Sequence, residues 1–89
     1  MTRAVRAVVH GQVQGVGFRW SCMHRAEALG LAGWVRNRPD GTVECWLEGP
    51  DAEVGAMLEW LWQGPRYARV ARVGVEDQTP VHYSGFDVH

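Results

Sequence analysis

A surplus of charge is the first thing this 89-residue chain lacks: nine arginines and no lysine face ten carboxylates, for a formal charge of −1. Without a basic excess there is no electrostatic footprint of a dedicated nucleic-acid binder, and no nucleic-acid partner is expected. Without lysine no nucleotide P-loop can close, because that loop ends in a Lys-Ser or Lys-Thr pair. No stretch approaches the roughly 20 apolar residues of a membrane span. The opening MTRAVRAVVHG has neither the long apolar core nor the small-residue cleavage site of a signal peptide. The expectation is a cytoplasmic chain with no membrane partner. Cysteine is scarce as well. Cys22 and Cys45 do not stand at a spacing such as C-x-x-C, and none of the four histidines lies at zinc-finger distance from them, so no metal and no cofactor are expected.

What the chain does have is apolar material, 46% of its residues including five tryptophans, enough for one small core and hence one domain over residues 1–89. No linker, repeat or low-complexity segment divides it. Residues 3–10 (RAVRAVVH) alternate as a valine-rich strand that ends at Gly11. A helix is expected from Phe18 to Ala28, with Phe18, Cys22, Ala26 and Leu29 on its apolar side and Gly30 as its stop. A strand over 32–38 and the strand TVECWLEG are joined by Arg38-Pro39-Asp40-Gly41, a tight turn that makes them an antiparallel hairpin.

In that third strand Val43, Cys45 and Leu47 face the core, and Thr42, Glu44, Trp46 and Glu48 face an open side. Cys45 and Cys22 thus meet in one core, expected as free thiols; a disulfide is the alternative, which depends on a Cα separation that sequence leaves open. A second helix begins at Pro50 with Asp51 and Glu53 at its positive end, buries Val54, Met57, Leu58 and Leu61, and stops at Gly64-Pro65. Residues 69–76 read as a fourth strand and 83–89 as a short terminal one. This order is the α+β, ferredoxin-like split βαβ plan (βαββαβ), with two helices on one face of an antiparallel sheet.

The chemistry gathers at residues 11–19, GQVQGVGFR. Gly11, Gly15 and Gly17 let the backbone bend and bring its N–H groups close to a ligand, and Arg19 adds a planar fork of donors. The run leads into a helix N-terminus, where free N–H groups and the dipole favour an anion. A phosphate fits all three features; a plain strand-to-helix turn is the alternative for the glycines alone. A cysteine phosphatase loop is excluded, because its thiolate precedes the loop whereas Cys22 follows Arg19.

The run GQVQGVGFR, with GWVRN at 33–37 and DGTVE at 40–44, resembles the acylphosphatase family over nearly the whole chain. The resemblance implies hydrolysis of the carboxyl-phosphate anhydride of a small acyl phosphate by a monomer. Gln14, Gly15, Val16, Gly17, Phe18 and Arg19 would then bind the phosphate, an inorganic phosphate or sulfate being able to occupy the same loop. Asn37 would orient the attacking water, so that Arg19 and Asn37 are the catalytic pair.

Two rival readings stay open. An RNA-binding module would stack bases on the open sheet face, but the third strand offers it one aromatic, Trp46, flanked by Glu44 and Glu48, which oppose a phosphate backbone. A carrier or regulatory module would keep the anion loop without turnover, and Asn37 would then simply cap the following turn through its side chain. The four histidines lack a partner at a telling spacing and read as surface or strand-end groups, Trp20 as sheet-edge cover with a wall of the pocket as the alternative, and Arg36 and Arg38 as solvated charges.

Overall fold

A computed structural model describes residues 1–89. Its elements are β1 (Thr2–Gln12), α1 (Phe18–Ala28), β2 (Ala32–Asn37), β3 (Val43–Pro50), α2 (Asp51–Gln63), β4 (Arg69–Gln78) and β5 (Phe86–Val88). The five strands form one sheet in the order β4-β1-β3-β2-β5. Both helices lie on one face, α1 over β2 and β5, α2 over β4, β1 and β3.

Alternation builds the core. Val5, Ala7 and Val9 of β1, Val35 of β2 and Val43, Cys45 and Leu47 of β3 point under the helices, and meet Phe18, Cys22 and Ala26 of α1 and Val54, Met57 and Leu61 of α2. All of these are essentially without solvent contact. Leu58, expected in the stripe of α2, is only partly buried at its margin. The two cysteines are free thiols, and a hydrogen bond to Cys45 together with burial pushes the Cys22 thiol upward, away from thiolate chemistry. Pro50 closes β3 and serves as the N-cap of α2 rather than as its first helical residue.

Two larger expectations are corrected as well. The sheet is mixed, because β5 pairs in parallel with β2. The cause is where β4 ends: Gln78 lies beside Ala4, at the starting end of β1. From that end the chain reaches β2 at Gly33, opposite Phe86, and can only run in the direction of β2.

The second correction concerns the outer face, which is not open. Glu44 and Glu48 are 3% and 5% exposed. Glu44 accepts hydrogen bonds from Arg6 and Arg36, and Arg6 also reaches Glu76 at 2.8 Å, so alternating charges cross four strands. Burial alone would raise the Glu44 carboxyl, but the hydrogen bonds from Arg36 and Arg6 outweigh it and hold its pKa below the ordinary value. Glu48 accepts from Trp46 Nε1 at 3.0 Å and from the main-chain N–H of Val81 and His82 at 3.1 and 2.7 Å. These bonds likewise overcome burial and lower its pKa. They also pin the segment that leads to β5, on which Tyr83 meets Trp46 edge-on, ring centroids 5.8 Å apart. The aromatic that a base would stack upon is therefore already engaged.

Candidate active site

The loop forms where β1 gives way to α1, and its two ends are held by apolar anchors. Val13 is buried before it, and Phe18 is buried after it against Trp60, ring centroids 5.6 Å apart, with Val16 packed on the same core. Between the anchors Gly15 and Gly17 take φ of 75° and 76°, a conformation L side chains resist, and nothing lies within 4 Å of the place a Cβ would occupy. The main-chain N–H groups of Gln14, Gly15, Val16 and Gly17 make no hydrogen bond within the protein. Gly17 is also the N-cap of α1, without a side-chain cap and without an acidic residue in the first turn. The opening N–H groups of a helix lack intrahelical acceptors, so the donors of the loop continue into those of the helix.

Of the residues assigned to phosphate binding, Val16 and Phe18 can contribute only their main chain, since their side chains belong to the core. Gly11 does not belong to the loop at all. It lies within β1 at a register shift against β4, φ 132°, and a Cβ there would stand 2.1 Å from the Arg69 carbonyl oxygen. Its lack of a side chain permits a β-bulge, not an anion site.

Arg19 stands in the first turn of α1 and is partly exposed. Its Nη1 donates to the main-chain oxygen of His89 at 2.7 Å, and the His89 N–H donates to Val35 of β2 at 2.9 Å. The guanidinium is thereby oriented from the strand that also carries Asn37, and its other nitrogens keep their donors free. Asn37 ends β2 opposite Val43. The turn that follows is capped by Asp40 instead: its Oδ1 accepts from Thr42 Oγ1 at 2.6 Å and from the Thr42 N–H at 3.0 Å. Those bonds, the hydroxyl's foremost, lower the Asp40 pKa. The Asn37 amide is absent from the hydrogen bonds of the hairpin and stays available at the loop end of the sheet.

Gln14 holds these parts together: its Nε2 donates to the carbonyl oxygens of Arg38 at 2.8 Å and Thr42 at 2.9 Å. Neither this grip nor the Arg19–His89 bond was legible from the motif, because both join residues distant in the chain through main-chain oxygens that every residue carries. Other residues fall elsewhere. Trp20 is 58% exposed. His10 Nε2 lies 3.2 Å from Arg72 Nη2, and His24, His82 and His89 are exposed. Arg36 is not merely solvated but bonded to Glu44, while Arg38 lies 3.7 Å from Asp40.

The family model described as Acylphosphatase matches residues 5–88. An acylphosphatase of Thermococcus kodakarensis is 52% identical over 80 residues, covering 90% of this chain and 88% of the relative. Among solved structures, an acylphosphatase from Coxiella burnetii superposes with a TM-score of 0.96 at 40% identity, covering 99% of this chain and 93% of that one. An acylphosphatase from Bacillus subtilis does so with a TM-score of 0.95 at 34% identity, covering 100% and 99%.

Proposed function

The chain belongs to the acylphosphatase family, hydrolases of acyl phosphates, and from that premise we propose that it cleaves the carboxyl-phosphate bond by direct attack of water, without a metal and without a covalent enzyme intermediate. The observation that carries this reading is the run of four main-chain N–H groups, Gln14 to Gly17, left without partners beside Arg19 at a helix N-terminus. Such groups form an anion nest that needs no reorganisation as charge develops. An inorganic phosphate or sulfate would occupy it as the substrate's phosphate does.

The division of labour follows from the chemistry. The carboxylate is already a good leaving group, so the protein must hold the phosphoryl group, offset its charge and align water opposite the leaving oxygen. Arg19 and the N–H groups do the first two through charge-assisted bonds. The Asn37 amide does the third, accepting a hydrogen bond from water and donating one to the phosphoryl group. Water's oxygen bonds to phosphorus, the acyl oxygen departs as carboxylate, and the displaced proton leaves with the inorganic phosphate or to solvent. One chain carries every part, so the whole of residues 1–89 acts as one catalytic domain and as a monomer. Two unbridged thiols suit the reducing cytoplasm.

Hydrolysis of benzoyl phosphate in excess chelator tests the reading, with the intact protein beside Arg19→Ala and Asn37→Ala. Turnover is expected in the intact protein and a fall of about 10² to 10³ in each variant, the usual cost of one preorganised donor. A folded intact protein with no turnover would instead make the loop that of a carrier or regulatory module.

A further inference from the structure

The side chain of Gln14 belongs to the motif that resembles a phosphate-binding sequence, yet it faces away from that task. Both donors of its amide nitrogen are spent on protein carbonyls, Arg38 at 2.8 Å and Thr42 at 2.9 Å. Only this orientation of the amide fits two carbonyl partners, and it leaves Oε1, an acceptor, which has nothing to offer a phosphoryl oxygen.

The two carbonyls are not arbitrary. Arg38 directly follows Asn37, and Thr42 directly precedes Val43, the cross-strand partner of Asn37. The same two residues are already bonded to each other, the Arg38 N–H donating to the Thr42 oxygen at 2.9 Å. Gln14 therefore grips the frame of Asn37 from both strands of the hairpin. On its other side Gln14 is the first residue of the unpartnered N–H run that leads to Arg19.

From this we infer that Gln14 is a positioning residue that fixes Asn37, and with it the attacking water, against the phosphate cradle. The inference rests on the catalytic roles proposed above for Arg19 and Asn37. In-line attack tolerates little error, and a displacement of about 1 Å can cost on the order of 10² in rate. Phosphate affinity depends on Arg19 and main-chain donors, which the grip does not supply. The grip should consequently govern kcat and leave ground-state binding of phosphate alone.

The test uses benzoyl phosphate kinetics, inhibition by inorganic phosphate and circular dichroism on the intact protein, Gln14→Ala, Gln14→Met, Asn37→Ala and the Gln14→Ala/Asn37→Ala double variant. Gln14→Met keeps the length and bulk of the side chain and removes its amide, so it guards against a variant that fails to fold. Both single Gln14 variants are expected to lose about 10- to 100-fold in kcat, the range set by a misplacement of this kind, with KM and the phosphate inhibition constant within about twofold of the intact protein. In the Asn37→Ala background the Gln14 change should add almost nothing, since there is no longer a positioned water to misplace.

A raised inhibition constant with kcat preserved would overturn the inference and return Gln14 to the ligands of the phosphate. Losses that simply multiply in the double variant would also overturn it, by showing that Gln14 does not act through Asn37. An unaltered Asn37→Ala enzyme would sink the parent reading instead, a result visible without any Gln14 variant.

Discussion

The two helices of this molecule begin in opposite ways. Helix α2 follows Pro50 and brings Asp51 and Glu53 in its first turn, so the chain itself supplies the negative charge that a helix N-terminus favours. Helix α1 follows Gly17, has no acid in its first turn and places a cation, Arg19, there instead. By the rules of helix stability α1 starts badly. On the proposed function, the difference separates two tasks of a charge in a small protein: at α2 the anion is structural and built in, and at α1 the place is kept for an anion that arrives with the substrate. An active site of this kind sets aside some local stability for function.

Substitutions at the two N-termini should break or sharpen that contrast, beginning with the largest effect. Arg19→Lys retains the cation but loses the planar fork whose Nη1 donates to His89. It should lower kcat/KM for benzoyl phosphate by about 10²-fold, since the two cations are not interchangeable at a bidentate site; near-normal activity would show that charge alone suffices at α1.

The next effect lies away from both helices, where carboxylates are structural throughout. Glu44→Gln leaves Arg6 and Arg36 without their shared anion and should cost about 1 to 2 kcal/mol in urea unfolding, discounted for the partial exposure of both arginines. The corresponding pH dependence has a definite sign. Glu44 and Glu48 have folded-state pKa values below their ordinary ones, so their contribution is complete above the unfolded carboxylate pKa near 4.3. It is lost as pH falls through the lowered folded values. Stability measured from pH 7 to pH 2 should decline in that acid window, and the intact protein should lose more there than Glu44→Gln.

Smaller effects test the helix ends directly. Trp20→Glu places the missing acid in the first turn of α1 at an exposed position. It should raise stability by about 0.3 to 1 kcal/mol and weaken inhibition by phosphate severalfold. Asp51→Asn with Glu53→Gln should do the reverse in kind, lowering stability by about 0.3 to 1 kcal/mol per charge while kcat/KM stays unchanged. A loss of activity from the α2 pair would break the contrast.

Much of this was legible in the sequence, for reasons that differ from element to element. Helix α1 runs from Phe18 to Ala28 as its apolar spacing and Gly30 require, and the Pro-Asp-Gly turn yields the expected hairpin. These are local signals, written in neighbouring residues. The corrections concern what strands do to one another. Gly11 looks like its neighbours Gly15 and Gly17 in sequence, and only the approach of β4 shows that it serves a bulge. Glu44 alternates outward as predicted, but Arg6 and Arg36 arrive from adjacent strands and bury it. Asn37 ran the other way: the reading in which it caps the turn had local logic, but Asp40 does that work and leaves the Asn37 amide free. In the candidate site, the glycine-rich loop was legible as a motif, and the hydrogen bonds from Gln14 to the Arg38 and Thr42 carbonyls were not.

The most direct measurement of the central contrast is a titration of the ¹⁵N-labelled protein with inorganic phosphate, followed amide by amide. Saturable shifts are expected centred on Gln14 to Trp20, with no shift at Asp51 to Val54 and loss of the response in Arg19→Ala. Equal shifts at both helix starts, or no response in the loop, would contradict the assignment of the α1 N-terminus as the place kept for the substrate's phosphate.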